Sequence, residues 1–256
     1  QIYTVMSKPR PNSMVYTSRG NLQSVNEVVH EPPFAAIEKK LKLNLKDDVL
    51  PLLGSEIALR LPATGLDLFG LPRGPISEPT NKDNQPPVST SPVLLISVRD
   101  KEGVRALMPK IVEAIGFKGA SSFAQNERKE DTELVSYMNF FSYAFIGNFL
   151  VLSTDSATVR HVVDSYLKHE TLASEGNFRS FTRWQPRPAH GQLYISPALM
   201  EGYKTWAEQT KHVSDQTRAF LTRLTTVAQP ITYSLSNEGL GPLHEVHIPK
   251  NLVLMA

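Results

Sequence analysis

The sequence contains no cysteine in its 256 residues. This absence excludes disulfide bonds, thiolate metal ligands and a cysteine nucleophile. It leaves the cellular compartment open, since it suits an envelope protein that avoids mispaired thiols as well as a cytosolic protein. The chain begins at Gln1 and continues directly into strand-like residues, so we expect a fragment or a processed form that has lost a signal or anchor segment.

A large charge excess and a long apolar run are also missing. Lys and Arg total 27 against 25 Asp and Glu, which gives a formal net charge of +2. A charge this small provides no long-range field to attract a nucleic acid. No stretch approaches the roughly 20 apolar residues that a helix needs to cross a bilayer. We therefore expect a globular domain with no nucleic-acid partner and no membrane span.

The motifs of common catalytic and cofactor sites are absent too. There is no nucleophile elbow, no phosphate-binding glycine loop and no dinucleotide-binding glycine pattern. Ser165 and Lys168 have the Ser-x-x-Lys spacing of penicillin-recognising enzymes, but Ser165 falls late in a predicted helix and the partner motifs are missing. The sequence therefore predicts no catalytic residue and no cofactor.

One group of residues has the composition of a metal site. His244, Glu245 and His247 supply two imidazoles and a carboxylate, which are common ligands of zinc and iron. They fall in a predicted strand, however, where successive side chains point to opposite faces. The two imidazole rings then cannot bind one ion, so the sequence predicts no metal site.

What the sequence does contain is a faint internal repeat with an offset of 55 residues. In each copy an apolar, strand-like run leads through an aspartate into an amphipathic helix. The aspartates, Asp100 and Asp155, are the expected helix N-caps. The corresponding positions are Asp100, Val104, Arg105, Leu107, Met108, Ile111 and Val112 in one copy, and Asp155, Val159, Arg160, Val162, Val163, Tyr166 and Leu167 in the other.

In each copy another predicted strand precedes the strand that leads into the aspartate. In the second copy, residues 143–146 and 149–152 flank Gly147 and Asn148, a typical two-residue hairpin turn with glycine in first position. In the first copy, residues 57–61 and 93–98 would form the matching hairpin. The proline-rich segment 62–92, with seven of the nineteen prolines, would replace the tight turn as a long loop.

Further strands are predicted at residues 134–138, 193–195, 231–235 and 243–248, with two helical patterns between the second and third. Residues 127–133 carry charges of both signs and are interpreted as a solvated connection. Together these features predict the α+β class, with a largely antiparallel sheet built from repeated strand-strand-helix units and helices packed on one face. We expect a single domain over residues 1–256, with 1–125 and 126–256 as alternative halves.

Two segments are candidate binding surfaces. Four apolar residues inside the long loop should pack against something, either the protein itself or a partner: Leu66, Leu68, Phe69 and Leu71. In the second segment Arg179, Arg183 and Trp184 interleave basic and aromatic side chains, which could stack on a ligand. The alternative interpretation is a short helix whose aromatic residues are pinned to the core, with the arginines outside.

Three stretches resemble a bacterial family recorded only as a domain of unknown function, known from acidobacterial and cyanobacterial genomes. They are residues 48–61 with the sequence Leu-Pro-Leu-Leu-Gly-Ser-Glu, residues 143–163 and residues 193–196. The resemblance covers most of the chain through apolar and glycine spacing. It implies a location outside the cytoplasm, because members often follow a signal or anchor segment, and it assigns no catalytic residue.

Three functional hypotheses remain from the sequence. The first is a noncatalytic extracytoplasmic binding or scaffold domain for a protein or hydrophobic partner. The second is an unrecognised hydrolase whose site combines distant residues such as Asp131, His190 and His244. The third is a structural spacer without a specific ligand.

Overall fold

A computed structural model describes residues 13–19, 32–62, 91–114, 119–137, 141–183, 190–211, 213–237 and 241–250. The described strands are β1 (Ser13–Arg19), β2 (Leu53–Pro62), β3 (Val93–Val98), β4 (Ala124–Lys129), β5 (Thr132–Tyr137), β6 (Phe141–Ile146), β7 (Phe149–Ser153), β8 (Gly191–Ile195), β9 (Ile231–Asn237) and β10 (Pro242–His247). The described α-helices are α1 (Pro32–Leu41), α2 (Lys101–Ala114), α3 (Ser156–Leu167), α4 (Gly176–Thr182), α5 (Ala198–Gln209) and α6 (Asp215–Val227). This content confirms the α+β class.

The chain forms two compact units. The first comprises the described parts of Ser18–Ala58 and Val93–His169, and the second those of Ser7–Thr17, Leu59–Pro92 and Glu170–Ala256. Two compact units can belong to one domain or to two, so the expected single domain over residues 1–256 stays a prediction. The interior of the long loop, residues 63–90, lies outside the described residues.

The first unit contains a sheet with the strand order β2-β3-β7-β6-β5-β4. The pairs β3/β7, β7/β6, β6/β5 and β5/β4 are all antiparallel, which confirms the predicted largely antiparallel sheet. The predicted hairpin of β6 and β7 is present, since Ile146 pairs with Phe149 across the two-residue turn. Gly147 has a φ of 54° in that turn, a conformation that glycine adopts at little cost.

Two helices of the first unit lie on opposite faces of this sheet, whereas the sequence predicted helices on one face. Helix α2 packs through Val104, Met108 and Val112 on the face that carries Val135, Phe145 and Leu150. Helix α3 contacts β5, β6 and β7, and its Arg160 and Asp164 pair with Glu127 and Lys129 of β4. These β4 residues share a face with Leu134 and Thr132, on the side away from Val135.

The reason lies in the composition of the central strands. In β6 and β7 side chains of both faces are buried, including Ala144, Ile146 and Val151 on the α3 side. A strand buried on both faces has an almost continuous apolar sequence and needs a cover on each side. The uniformly apolar runs at 143–146 and 149–152 already carried this signal.

The strand-to-helix segments around Asp100 and Asp155 resemble each other locally. The Asp100 carboxylate accepts a hydrogen bond from the Gly103 N–H at 2.9 Å, and the Asp155 carboxylate accepts one from the Thr158 N–H at 2.7 Å. Both predicted caps are therefore confirmed.

The surroundings of the two segments differ, because the antiparallel register places Leu95 opposite Val151. An offset of 55 residues makes Leu150 the counterpart of Leu95. Since Leu150 is the neighbour of Val151 along the strand, it points to the other face. A two-fold axis between the antiparallel strands β3 and β7 would place Leu95 and its counterpart Leu150 on the same face of the sheet. Because they lie on opposite faces, such an axis does not relate the two segments.

The second unit contains strands in the order β10-β9-β8-β1, with β10/β9 and β9/β8 antiparallel. Its helices α5 and α6 pack against each other around a core of Leu199, Met200, Leu221 and Leu224. In β9 the polar residues are the more deeply buried, namely Thr232, Ser234 and Ser236. The predicted alternation of β9 is thus present, with its hydroxyl-bearing face inward.

Candidate functional site

An open cavity of about 520 Å³ lies in the first unit, between the start of α2 and the hairpin of β4 and β5. Helix α2 contributes Lys101 and Arg105 to its lining. The hairpin contributes Asn126, Glu127, Arg128, Asp131 and Glu133. The volume is in the range of small-ligand sites, but every residue of the lining has a polar or charged side chain, whereas hydrophobic and aromatic residues usually predominate in such sites.

The side chain of Arg105 is fixed at the wall of this cavity. One terminal nitrogen contacts both carboxylate oxygens of Glu102 at 2.5 and 2.6 Å, and the other contacts Glu133 at 2.9 Å. The guanidinium carbon lies 5.5 Å from the ring centroid of Phe145, within the range of a cation–π interaction. The hydrogen bond with Glu102, together with the charge of Glu133, raises the pKa of Arg105 above its usual value.

The remaining nitrogen of this guanidinium, Nε, is buried and has no hydrogen-bond partner among the described residues. A guanidinium has five N–H donors in a rigid fork, so two ion pairs do not satisfy it completely. Arg105 therefore combines a fixed position with an unsatisfied donor.

Three other charges of the cavity, Lys101, Arg128 and Asp131, are without an ion pair among the described residues. The ammonium of Lys101 lies 5.4 Å from the centroid of the Phe145 ring, the same ring that Arg105 contacts. Asp131 occupies the turn between β4 and β5 and is exposed. Since Glu127 is paired with Arg160 at 2.7 Å, Lys101 and Asp131 are a cation and an anion that a ligand can engage.

The hairpin that carries the acidic wall is held in place by the helices of the unit. Lys129 and Glu127 form ion pairs with Asp164 and Arg160 of α3 on one face. Glu133 contacts Arg105 of α2 on the other. The two-residue turn begins with Glu130, whose φ of 53° is costly for a residue with a side chain. Sequence reasoning interpreted residues 127–133 as a solvated connection and missed β4, because β4 has no apolar alternation.

The predicted binding residues are only partly described. Leu66, Leu68, Phe69 and Leu71 lie outside the described residues, as does Trp184. Arg179 on α4 and Arg183 just after it are exposed. Phe178 is buried and packs edge-to-face on Tyr194 with ring centroids 5.1 Å apart, as expected of a short helix pinned to the core. Whether Arg179, Arg183 and Trp184 bind a ligand stays a prediction.

The two histidines of the suspected metal site lie on opposite faces of β10. His244 is paired with Leu235 and His247 with Thr232, and these β9 residues are three positions apart. The Tyr233 hydroxyl and His244 Nδ1 are 2.7 Å apart, so the two side chains share a hydrogen bond. Within the described ranges, no group of three His, Asp or Glu side chains is arranged to hold a metal ion.

The residues of the hydrolase hypothesis are divided between the units. Asp131 belongs to the first unit, and His190 and His244 belong to the second. His190 donates its backbone N–H to the Leu235 carbonyl at 2.7 Å just before β8. No single unit contains all three side chains, and the hypothesis stays a prediction.

Comparisons with known proteins add little to this geometry. No family model matches the chain, and no curated protein matches it. Solved structures of TP0453, a T. pallidum protein, are similar to it at low identity. Crystal form III has 8% identity and a TM-score of 0.42, with 99% of this chain and 84% of that chain covered. Crystal form IV has 8% identity and a TM-score of 0.46, with 95% and 78% covered.

At these scores the likeness carries no argument about function.

In the described part of the chain, no helix has the length and apolar character needed to cross a bilayer.

Proposed function

We propose that the protein is a noncatalytic extracytoplasmic binding domain, and that the cavity at the start of α2 binds a zwitterionic group of its partner. The observation that carries this proposal is the pairing pattern of the cavity charges. Arg105 is compensated by Glu102 and Glu133, and Glu127 is compensated by Arg160. Lys101, Arg128 and Asp131 are left to engage a ligand.

A ligand with one sign of charge fits this lining poorly. An isolated anion would be attracted by Lys101 but would also face Asp131 and Glu133, and an isolated cation would face Lys101 and Arg128. Like charges brought together in a partly desolvated site weaken binding. A group that carries both charges can place its anion toward Lys101 and its cation toward Asp131.

The noncatalytic part of the proposal is supported by the residue types in the cavity. Its described lining has carboxylates, an amide, guanidinium groups and an ammonium, but no hydroxyl and no imidazole. Nucleophilic catalysis of the common kinds needs a nucleophile in contact with a base. A charged lining held by ion pairs is better suited to recognition.

The location outside the cytoplasm is supported by the resemblance to the uncharacterised bacterial family, whose membership we also propose, and the cysteine-free sequence is compatible with it. The strand-to-helix segments at Asp100 and Asp155 would then belong to a duplicated scaffold. An alkaline phosphatase fused to the full-length gene product tests the location, because that enzyme is active only after export. An inactive fusion beside an active cytoplasmic reporter fusion would contradict it.

Calorimetric titration with 4-aminobutyrate tests the binding site, with butyrate and butylamine as singly charged controls. We expect 4-aminobutyrate to bind more tightly than either control, and Lys101→Ala and Asp131→Asn each to weaken it by about tenfold, the effect of one charge-assisted contact. Lys110→Ala, on the same helix but outside the cavity, and Asp215→Asn are the matched controls. Equal binding of the three compounds, or an equal loss in Lys110→Ala, would refute the site.

A further inference from the structure

The strand β10 is the outermost strand of the second unit's sheet, and its side chains are exposed on both faces. Three apolar residues in and just after it are unusually accessible: Leu243 is 40% exposed, Val246 61% and Ile248 50%. An outermost strand also presents a row of backbone N–H and C=O groups to its surroundings. Segment 243–248, the β10 edge, therefore has both the backbone and the apolar side chains of a strand-pairing surface.

The outermost strand of the first unit's sheet is built differently. In β4 the exposed residues are all polar, and they include Glu127, Arg128 and Lys129. Charged residues on an outermost strand discourage pairing with another chain, because pairing would desolvate them. The β10 edge has no lysine, arginine or aspartate, and its ends are marked by Pro242 and Pro249, which lack a backbone donor.

We propose that the β10 edge pairs antiparallel with the β10 edge of a second copy of this chain, in a two-fold register centred on Val246. The proposal concerns assembly and is independent of the cavity in the first unit. In this register Val246 faces its own counterpart. Glu245 of each copy faces His247 of the other, and His244 faces Ile248.

The choice of register follows from strand geometry. A two-fold axis between antiparallel strands keeps each residue on its own face, so one residue must lie opposite its counterpart. Centring on Glu245 would place two carboxylates face to face. Centring on His244 would place Pro242 two residues from the axis, and centring on His247 would place Pro249 there. Centring on Val246 leaves both prolines outside the five residues 244–248 that pair among themselves. Centring on Val246 gives an apolar contact at the axis and two acid–base pairs beside it.

The neighbouring strand already orients two of these side chains. The Ser234 hydroxyl donates to the Glu245 carboxylate at 3.5 Å, a weak contact on one face. Tyr233 and His244 share their hydrogen bond on the other face. Side chains that are held before association lose less conformational freedom when the second copy binds.

Sedimentation velocity of the whole chain over a range of concentrations, at mildly acidic pH, tests the proposal. We expect a reversible dimer. Val246→Lys should shift the chain to monomer, since it places like charges opposite each other at the axis. The matched control is Gln125→Lys on the exposed part of β4, which should leave the dimer unchanged. The proposal would be overturned if the wild type were monomeric or if Val246→Lys formed the dimer as well as the wild type.

A charge exchange tests the register itself. Glu245→Lys and His247→Glu should each weaken the dimer by about tenfold, because each creates two like-charge pairs. The double variant has opposite charges in the same positions and should dimerise as well as the wild type. All variants are first compared with the wild type by thermal melting, so that a folding defect is recognised. If the double variant dimerises no better than the single ones, the Val246-centred pairing is wrong.

Discussion

Replacing Asp155 by alanine should destabilise the protein by about 2–3 kcal/mol, more than an ordinary N-cap. Its carboxylate accepts hydrogen bonds from both the backbone N–H of Thr158 at 2.7 Å and the Thr158 hydroxyl at 2.5 Å. Losing a capping bond costs about 1 kcal/mol. Thr158 is fully buried, so its hydroxyl loses a partner where water does not replace it, which adds about 1–2 kcal/mol.

Asp100 is the matched control, because it caps the corresponding helix of the same unit. It is exposed and accepts one bond, from the Gly103 N–H at 2.9 Å. Water can solvate the groups that Asp100→Ala leaves unpaired, so we expect a cost of about 1 kcal/mol or less. In a chain of this size the difference of about 1–2 kcal/mol corresponds to a melting temperature lower by roughly 2–8 °C for Asp155→Ala than for Asp100→Ala.

Urea denaturation of both variants, followed by far-ultraviolet circular dichroism, measures the two costs. A double-mutant cycle with Thr158→Val separates the cap from the buried hydroxyl. In the Asp155→Ala background, Thr158→Val should cost much less than in the wild type, because the hydroxyl that has lost the Asp155 carboxylate is then removed. Two results would refute this reasoning: equal losses of unfolding free energy for Asp155→Ala and Asp100→Ala, or the same loss for Thr158→Val in the wild type and in the Asp155→Ala background.

Three further predictions concern the rest of the fold. Glu130→Gly should stabilise the protein by about 1 kcal/mol, and Gly147→Ala should destabilise it by about as much, because both turn positions have positive φ; thermal melting measures both. Burial raises the pKa of Tyr194 and Tyr143, so the folded state keeps protons that the unfolded chain releases near pH 10. The free energy of unfolding should therefore fall above that pH, and it should fall less steeply in the Tyr194→Phe variant; urea titrations at several pH values measure both. Phe145→Ala should cost about 3–5 kcal/mol in the same titrations, since the ring is 1% exposed in the core of the first unit.

Local signals explain which elements were predictable. The hairpin of β6 and β7 follows from a Gly-Asn pair between two apolar runs, and the starts of α2 and α3 follow from capping aspartates. Strand β4 could not be predicted, because its sequence lacks the alternation of apolar and polar residues that marks a strand, and its structure depends on pairing with β5.

The cavity was unpredictable for a related reason. Lys101 and Arg105 start one helix, while Asp131 and Glu133 belong to a hairpin about 30 residues further along the chain. Only the packing of α2 on the sheet brings them together. Sequence reasoning named Asp131 as one member of a scattered hydrolase site, but nothing local to it indicated Lys101 as a neighbour.

The sequence by itself determined the α+β class, the antiparallel hairpins and the helix starts, because turns, caps and apolar periodicity act over a few residues. The tertiary structure decided which face of the sheet each helix covers and where Gly54 is required. A Cβ on Gly54 would lie 2.3 Å from the Ser97 hydroxyl oxygen, a close approach of two strands far apart in sequence. The physical reason is that a shift of register by one residue exchanges the faces of a strand, and register depends on partners that local sequence does not specify.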